Sequence, residues 1–299
     1  MKINWPDALE LGPVTVLTGA ERGKYPHGNS MLVRGAHQTI LIDPSLTVAE
    51  RGVPAPIDQV LLSHVHEDHI PGMTQLRGIP VSCHENDAIG LKSIDGLMSM
   101  YGLPQSVEEE FRLEVVDNFY YEPQSNVSTF SDNAIFDLGG VEIQVIHTPG
   151  HTQGHCAFLI PQARTLFLGD IELSGFGPYY FDSHSSLESF EQSMSLCRSL
   201  DADHFVTFHH KWVISGRELF LKMLDDFAKV ISNRELAMLD FMAEPKTVDD
   251  CVAHRFVYRP SVDMNLVDHV ETRSALIHIN RMLEQGRVVE VSENTYQTV

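Results

Sequence analysis

Basic residues are scarce in this 299-residue chain: 21 Lys and Arg stand against 41 Asp and Glu, a formal net charge of −20. That imbalance repels phosphate backbones and anionic membranes, and no run of Lys or Arg relieves it, so neither nucleic acid nor membrane is an expected partner. Cysteine is sparse too. Cys83, Cys156, Cys197 and Cys251 stand far apart with no Cys-x-x-Cys pair, which argues against a cysteine-built zinc site or a disulfide framework and fits free thiols in a reducing compartment. No stretch approaches the ~18 apolar residues of a membrane helix. Met1-Lys2-Ile3-Asn4-Trp5-Pro6-Asp7 offers no apolar export core, so a cytoplasmic chain is expected. A Gly-x-Ser-x-Gly elbow is missing as well, and no serine nucleophile announces itself. The 43% hydrophobic and 21% charged residues are ordinary for a globular protein, and the length suits one large domain or a large one plus a small one.

Histidine is what the chain has in plenty, 16 in all. Leu61-Leu62-Ser63-His64-Val65-His66-Glu67-Asp68-His69-Ile70-Pro71-Gly72 crowds three imidazoles and an aspartate together, after an apolar run and before a Pro-Gly break. On extended backbone, residues two apart point the same way, so His64 and His66 can grip one ion. If Pro71 opens a helix, Asp68 and His69 sit at its entrance, aimed at a second point nearby. Chance scatters histidines; it does not gather potential ligands at a strand end with an acid among them. Neutral imidazole and carboxylate suit Zn, Mn or Fe, and a catalytic site keeps a position open for water.

Around this stretch the pattern alternates strands and helices, an α/β layered domain. Strands are expected at 14–17, 30–33 and 38–42, the last ending at Asp43-Pro44. Asp43 reads equally as an acid that orients a metal-bound histidine or as a turn aspartate. A helix after Pro71 leads to a strand at 81–83. Residues 85–128 are looser, with helices expected at 87–100 and 107–116, and read either as a lid over the site or as a plain structural insertion. The alternating 141–146 is a strand with one wet face and runs into His147-Thr148-Pro149-Gly150-His151. Strands at 157–160 and 166–168 follow, the second closing on Gly169-Asp170, where glycine allows close approach. A helix at 186–200, a strand at 204–208 ending in His209-His210, and an amphipathic helix at 216–242 complete a catalytic domain expected over 1–243. Beyond it, residues 244–299 change character. Helices at 248–254 and 270–284 and a terminal hairpin outline a small winged-helix-like module. Its 6 Lys/Arg against 9 Asp/Glu argue against DNA reading, leaving homodimer formation or cover for the active-site side.

His151, Asp170 and His209 each follow a β-run flanked by turn chemistry, where function is usually grafted. His64, His66 and His151 can bind one ion; Asp68, His69 and His209 a second; Asp170 can bridge them. His64-x-His66-x-Asp68-His69, followed in order by His151, Asp170 and His209, resembles the metallo-β-lactamase-fold hydrolase superfamily over roughly residues 12–215. The resemblance implies a four-layer αββα sandwich with a two-metal centre at one edge, zinc first, with iron or manganese as alternatives. The ligand set is similar to that of glyoxalase II, lactonases and ribonuclease Z. The antibiotic-degrading members commonly carry cysteine where this chain has Asp170, which weakens β-lactam turnover as a reading. The family's last ligand usually closes its strand, which favours His209 over His210. His147 and His155 fall outside the motif and read as structural or as supports behind a ligand, and His27 as a surface residue.

The expected reaction is hydrolysis of a small acyl substrate (thioester, lactone or ester) by a hydroxide shared between two metals. Asp68, beside the water, is the catalytic residue that orients it and shuttles a proton. An aromatic loop follows Asp170, and Phe176, Tyr179 and Tyr180 are candidate walls of the substrate pocket. Two alternatives stand beside this reading. A phosphodiesterase or nuclease of the same fold wants basic grooves that the charge argues against. The other is an iron-dependent sulfur dioxygenase-like enzyme or a non-catalytic ligand sensor.

Overall fold

The computed structural model describes residues 5–299. The first half opens with β1 (Leu9–Leu11), β2 (Val14–Leu17), β3 (Ser30–Arg34), β4 (Thr39–Ile42), α1 (Leu46–Arg51), β5 (Gln59–Leu61) and β6 (Val81–His84). Three helices, α2 (Ala88–Lys92), α3 (Ile94–Tyr101) and α4 (Gln105–Asp117), lead to β7 (Val127–Phe130). The second half follows with β8 (Ile135–Asp137), β9 (Glu142–His147), β10 (Cys156–Ile160), β11 (Thr165–Phe167), α5 (Leu187–Ser199), β12 (His204–Val206), β13 (Val213–Ser215) and α6 (Arg217–Phe241). Last come β14 (Lys246–Thr247), α7 (Val248–His254), α8 (Val267–Glu284), β15 (Val288–Ser292) and β16 (Thr295–Thr298).

Two sheets carry the layers. One runs in sequence order from β1 to β7, the other in the order β13-β12-β11-β10-β9-β8. Alternate residues along a strand face opposite ways, and here both faces are apolar. Met31, Val33, Ile40 and Ile42 meet Val145, Phe158, Ile160 and Phe167 in the core between the sheets. Their neighbours Leu32 and Leu41 join Leu97, Met98, Phe111 and Val115 of the outer helices. On the far side, Ala157, Leu166 and Phe205 pack on Phe190, Met194, Phe220 and Leu224 of α5 and α6. The expected αββα sandwich is therefore present: helix, sheet, sheet, helix. No helix among the described residues is long and apolar enough to cross a membrane.

Several local expectations shift. The helix expected after Pro71 is one short 3-10 turn, Pro71–Gln75. The helix expected at 87–100 breaks at Ser93, whose extended backbone interrupts it and whose hydroxyl accepts the Gly96 N–H to start α3 afresh. β1, α1, β7, β8 and β13 fall outside the expected elements, being three to six residues long with little periodicity. In the C-terminal stretch, Thr247 and Asp250 form a capping box that opens α7, and β14 adds a third strand to the terminal hairpin. Its apolar cluster takes in Met238 and Met242 from the end of α6, so the packing runs continuously across position 243.

A polar chain fastens α6 to α8 beneath this packing. Arg281 and Arg287 approach Glu235 at 3.3 and 2.8 Å. His278 Nδ1 lies 3.3 Å from the same carboxylate, while its Nε2 meets the Tyr180 hydroxyl at 2.8 Å. Burial pushes the Glu235 carboxyl up, but the hydrogen bonds from His278 and Arg287 outweigh it and hold it at about 2. The folded carboxyl titrates below its ordinary value of 4.5, so its stabilising contribution is complete above that pH and fades as pH falls. Glu235→Gln should cost on the order of 2 kcal/mol at neutral pH. The gap to wild type should close as pH drops from 4.5 towards about 2. Urea unfolding across that range checks this, and a gap that ignores pH would contradict it.

Candidate metal centre

Parallel pairing builds the site's rim. β4 and β5 run side by side in one sheet, as do β11 and β12 in the other, while β9 lies antiparallel to β10, which is antiparallel to β11. The C-terminal ends of β4, β5, β9, β11 and β12 thus open on one edge. From them come, in turn, Asp43, the segment bearing His64, His66, Asp68 and His69, then His151, Asp170 and His209. Glycine lets the last pieces close in. Gly169 stands at φ +52 where an added Cβ would meet His155 Nε2 at 2.5 Å.

At this edge the seven side chains converge. His64, His66 and His151 form one group; His64, His69 and Asp170 another; Asp68, His69 and His209 a third, with the donor atoms of each within 4.8 Å of one another. The first three rings make a near-equilateral triangle, their centroids 4.7, 4.6 and 4.7 Å apart. Asp170 stands between the groups: Oδ1 is 3.2 Å from His69 Nε2, and Oδ2 is 3.3 Å from His151 Nε2 and 3.9 Å from His209 Nε2. His209 Nε2 reaches Asp68 Oδ2 at 2.9 Å. His210, in contrast, adopts φ +60, turns away from the cluster and faces Glu172 at 3.7 Å.

Hydrogen bonds from outside fix how these rings are turned. His69 Nδ1 meets Asp43 Oδ2 at 2.9 Å, and the Ser63 N–H and hydroxyl both donate to Asp43, at 2.7 and 2.5 Å. That leaves the Ser63 oxygen to accept from His64 Nδ1 at 3.1 Å. His151 Nδ1 donates to the Tyr179 carbonyl at 3.0 Å and His209 Nδ1 to that of Gly23 at 2.9 Å. With Nδ1 committed outward, Nε2 is the atom each of these rings turns inward. Of the readings left open for Asp43, orienting a histidine is the one its contacts show. His155 braces from below, its Nε2 accepting the Asp170 N–H at 3.0 Å, and burial beside His151 lowers it to about 3.

The donor set fits divalent cations. Nε2 of His64, His66, His69 and His151, with Asp68 Oδ2 and Asp170 Oδ1, is buried without an aligned hydrogen-bond partner; each such atom costs roughly 1–3 kcal/mol unless something meets it. Burial and neighbouring imidazoles push His64 and His66 well below the usual range, into the neutral form that ligates. Burial also lowers His69, but Asp170, Asp68 and Asp43 outweigh it and hold that ring well above its usual range. The carboxylates ask for positive charge at this point.

Over the cluster lies a cleft of about 410 Å³, walled by Tyr25, Tyr101, Leu103, Phe111, Phe176, Tyr179, Tyr258, Met264 and Leu266. Phe176 and Tyr179 take the expected place, and Tyr101, Leu103 and Phe111 come from the stretch read as a lid or an insertion. Tyr180 does not, which corrects the expectation. It is 0% exposed, and its hydroxyl is held by Arg234 at 3.1 Å and by His278, which ties the ring into the core beneath the cleft wall. Glu67, Glu172 and Asp182 also line the cleft, and no sequence signal singles them out as part of the site. Glu67 sits inside the histidine motif, where it reads as a spacer, and Asp182 lies in a loop with no pattern to mark it.

The family model described as "Metallo-beta-lactamase superfamily" matches residues 26–210, more than half of the chain. This chain belongs to the metallo-beta-lactamase superfamily. As a member, it is similar to a metallo-beta-lactamase fold-containing protein of Sulfurisphaera tokodaii, 30% identical over 46% of this chain and 53% of that protein. It is also similar to a hydroxyacylglutathione hydrolase of Cereibacter sphaeroides, 24% identical over 74% of this chain and 69% of that one. The crystal structure of a metallo-beta-lactamase family protein from Thermus thermophilus shares the fold, with TM-score 0.69 and 21% identity over 96% of this chain and 99% of that one. The chain spans about half the length of most curated relatives it matches.

One buried acid ties two of the site-bearing loops together. Asp87 accepts from the Val65 N–H at 3.3 Å, the Thr152 hydroxyl at 2.6 Å and the Gly154 N–H at 2.8 Å. Asp87→Ala strands all three donors and should destabilise the protein by about 3 kcal/mol, against about 1 for Asp87→Asn, which keeps an acceptor. Chemical unfolding of both variants checks this; wild-type stability in Asp87→Ala would contradict it.

Proposed function

We propose that this superfamily hydrolase cleaves a small acyl compound, an ester, thioester or lactone, with two divalent metal ions. His64, His66 and His151 would hold one, Asp68, His69 and His209 the other, with Asp170 between them. The observation that carries the reading is the set of buried, unpartnered nitrogen and oxygen atoms at the floor of an aromatic-walled cleft. Zinc is the first candidate, because the donors are imidazole and carboxylate. When bound, such a pair supplies an acidified water and a Lewis-acid seat for the carbonyl oxygen.

The chain's own groups do the rest. Asp68 faces His209 with one oxygen and lies 3.9 Å from His69 with the other, a position from which it orients water and carries a proton to the leaving group. Asp43, Ser63 and the carbonyls of Gly23 and Tyr179 keep the imidazole lone pairs aimed before any substrate arrives. Leu103, Phe111, Phe176, Met264 and Leu266 shed water from the acyl chain. Among the described residues, the lining offers no Ser, Thr, Cys or Lys as a competing nucleophile, and no Lys or Arg to receive a phosphodiester. The hydrolase name of the Cereibacter relative supports acyl transfer to water.

Elemental analysis of the purified protein, paired with a panel of esters, thioesters, lactones and phosphodiesters, tests the proposal. Two divalent ions per chain and turnover confined to the acyl compounds are expected. His66→Ala and Asp170→Ala should each lose metal, with turnover down about a hundredfold or more. Unchanged metal content in both variants, or hydrolysis of phosphodiesters alone, would overturn it.

A further inference from the structure

We infer that the cleft selects an acyl substrate bearing an ammonium group, seated between the carboxylates of Glu67 and Asp182 and the rings of Tyr101, Tyr179 and Tyr258. The inference rests on the hydrolase reading and adds to it the charge of the substrate.

Charge balance comes first. Among the described residues, the lining holds five carboxylates, Glu67, Asp68, Asp170, Glu172 and Asp182, and neither Lys nor Arg. Away from the metal ligands, the wall therefore offers a cation acid groups and offers an anion no basic side chain.

Asp182 presents an open acceptor in that wall. It is only 2% exposed and lines the cleft. The Tyr179 hydroxyl donates to its Oδ1 at 3.2 Å, while Oδ2 has no hydrogen-bond partner among the described residues. The nearest ring nitrogen, His66 Nε2 at 3.4 Å, is the one that would face a metal and so has no proton to give. Asp182 also stands outside the groups whose donor atoms converge within 4.8 Å. The guanidiniums behind the wall are committed elsewhere. Arg234 donates to the carbonyls of Pro178 and Phe176, at 3.1 and 2.7 Å, and Arg273 to those of Phe181 and Asp182, both at 3.2 Å. No described side chain therefore supplies the donor that the Asp182 oxygen lacks, and a ligand entering the cleft can.

The rings complete the seat. Tyr101 stacks on His66 at 4.9 Å and gives its hydroxyl proton to Glu67, which also accepts from Tyr25 at 3.1 Å. Phe176 and Tyr258 lie 5.6 Å apart across the outer wall. Aromatic faces carry negative quadrupole and bind alkylammonium groups well once water is removed.

The test uses metal-loaded protein and three acyl compounds sharing one acyl group: the ester of a trimethylammonium ethanol, its uncharged tert-butyl isostere, and the anionic glutathione thioester. The cationic ester should show kcat/KM about tenfold or more above the isostere, with the thioester lowest. In Asp182→Asn, and separately in Glu67→Gln, the cation-to-isostere ratio should fall towards one. Calorimetry gives the readout that does not depend on turnover: the trimethylammonium alcohol should bind more tightly than the tert-butyl alcohol, and added salt should narrow the difference. Preference for the neutral or anionic compound, equal binding of the two alcohols, or variants that lose metal and all substrates in the same proportion would overturn the inference. If no acyl compound is hydrolysed, the hydrolase reading fails, and the two alcohols still decide the ammonium seat on their own.

Discussion

Everything in this protein turns on atoms buried without partners. Protein interiors bond their polar groups almost without exception, because each one left unmet costs roughly 1–3 kcal/mol against a total stability of some 5–15. Here the inward nitrogens of four histidines and an oxygen from each of two aspartates are left so at a single point. The hydrogen bonds that brace them from outside are closely matched, down to the last lone pair of Ser63. A divalent cation is a group whose charge and chemistry suit this donor set.

The two sheets exist, from the site's point of view, to hold those atoms still. One sheet supplies Asp43 and the motif segment, the other His151, Asp170 and His209. Stitches cross between them: the Cys156 N–H donates to the Ser63 carbonyl at 2.7 Å, and the Asn29 side chain donates to the carbonyls of Thr207 and Phe208 at 3.2 and 3.0 Å. The apolar core between the sheets provides the stiffness and these polar stitches provide the registration. Outside, α3 and α4 approach the cleft from one side and the segment carrying Tyr258, Met264 and Leu266 from another, so the substrate would be enclosed between them.

How much of this the amino-acid order discloses depends on whether a signal is local. The donors are legible because strand ends carry a contiguous pattern: His64, His66, Asp68 and His69 lie within six residues, and His151, Asp170 and His209 each follow a β-run. Asp43 is half legible, since an acid before proline serves a turn as well as a ring, and only its contact with His69 distinguishes them. Tyr180 misleads because nearness to Asp170 along the chain says nothing about which face a side chain takes. Asp182 and Tyr258 are invisible for the opposite reason: they reach the cleft through tertiary packing, from loops without periodicity. The α2–α3 break depends on one serine whose cap outweighs the apolar pattern around it.

The most direct measurement of the central claim is anomalous X-ray scattering from crystals of the metal-loaded protein, collected on either side of the metal's absorption edge. The account predicts two peaks flanking the Asp170 carboxylate, one within the triangle of His64, His66 and His151 and one facing Asp68, His69 and His209. A map without peaks at this rim, or with its metal elsewhere on the molecule, would contradict it.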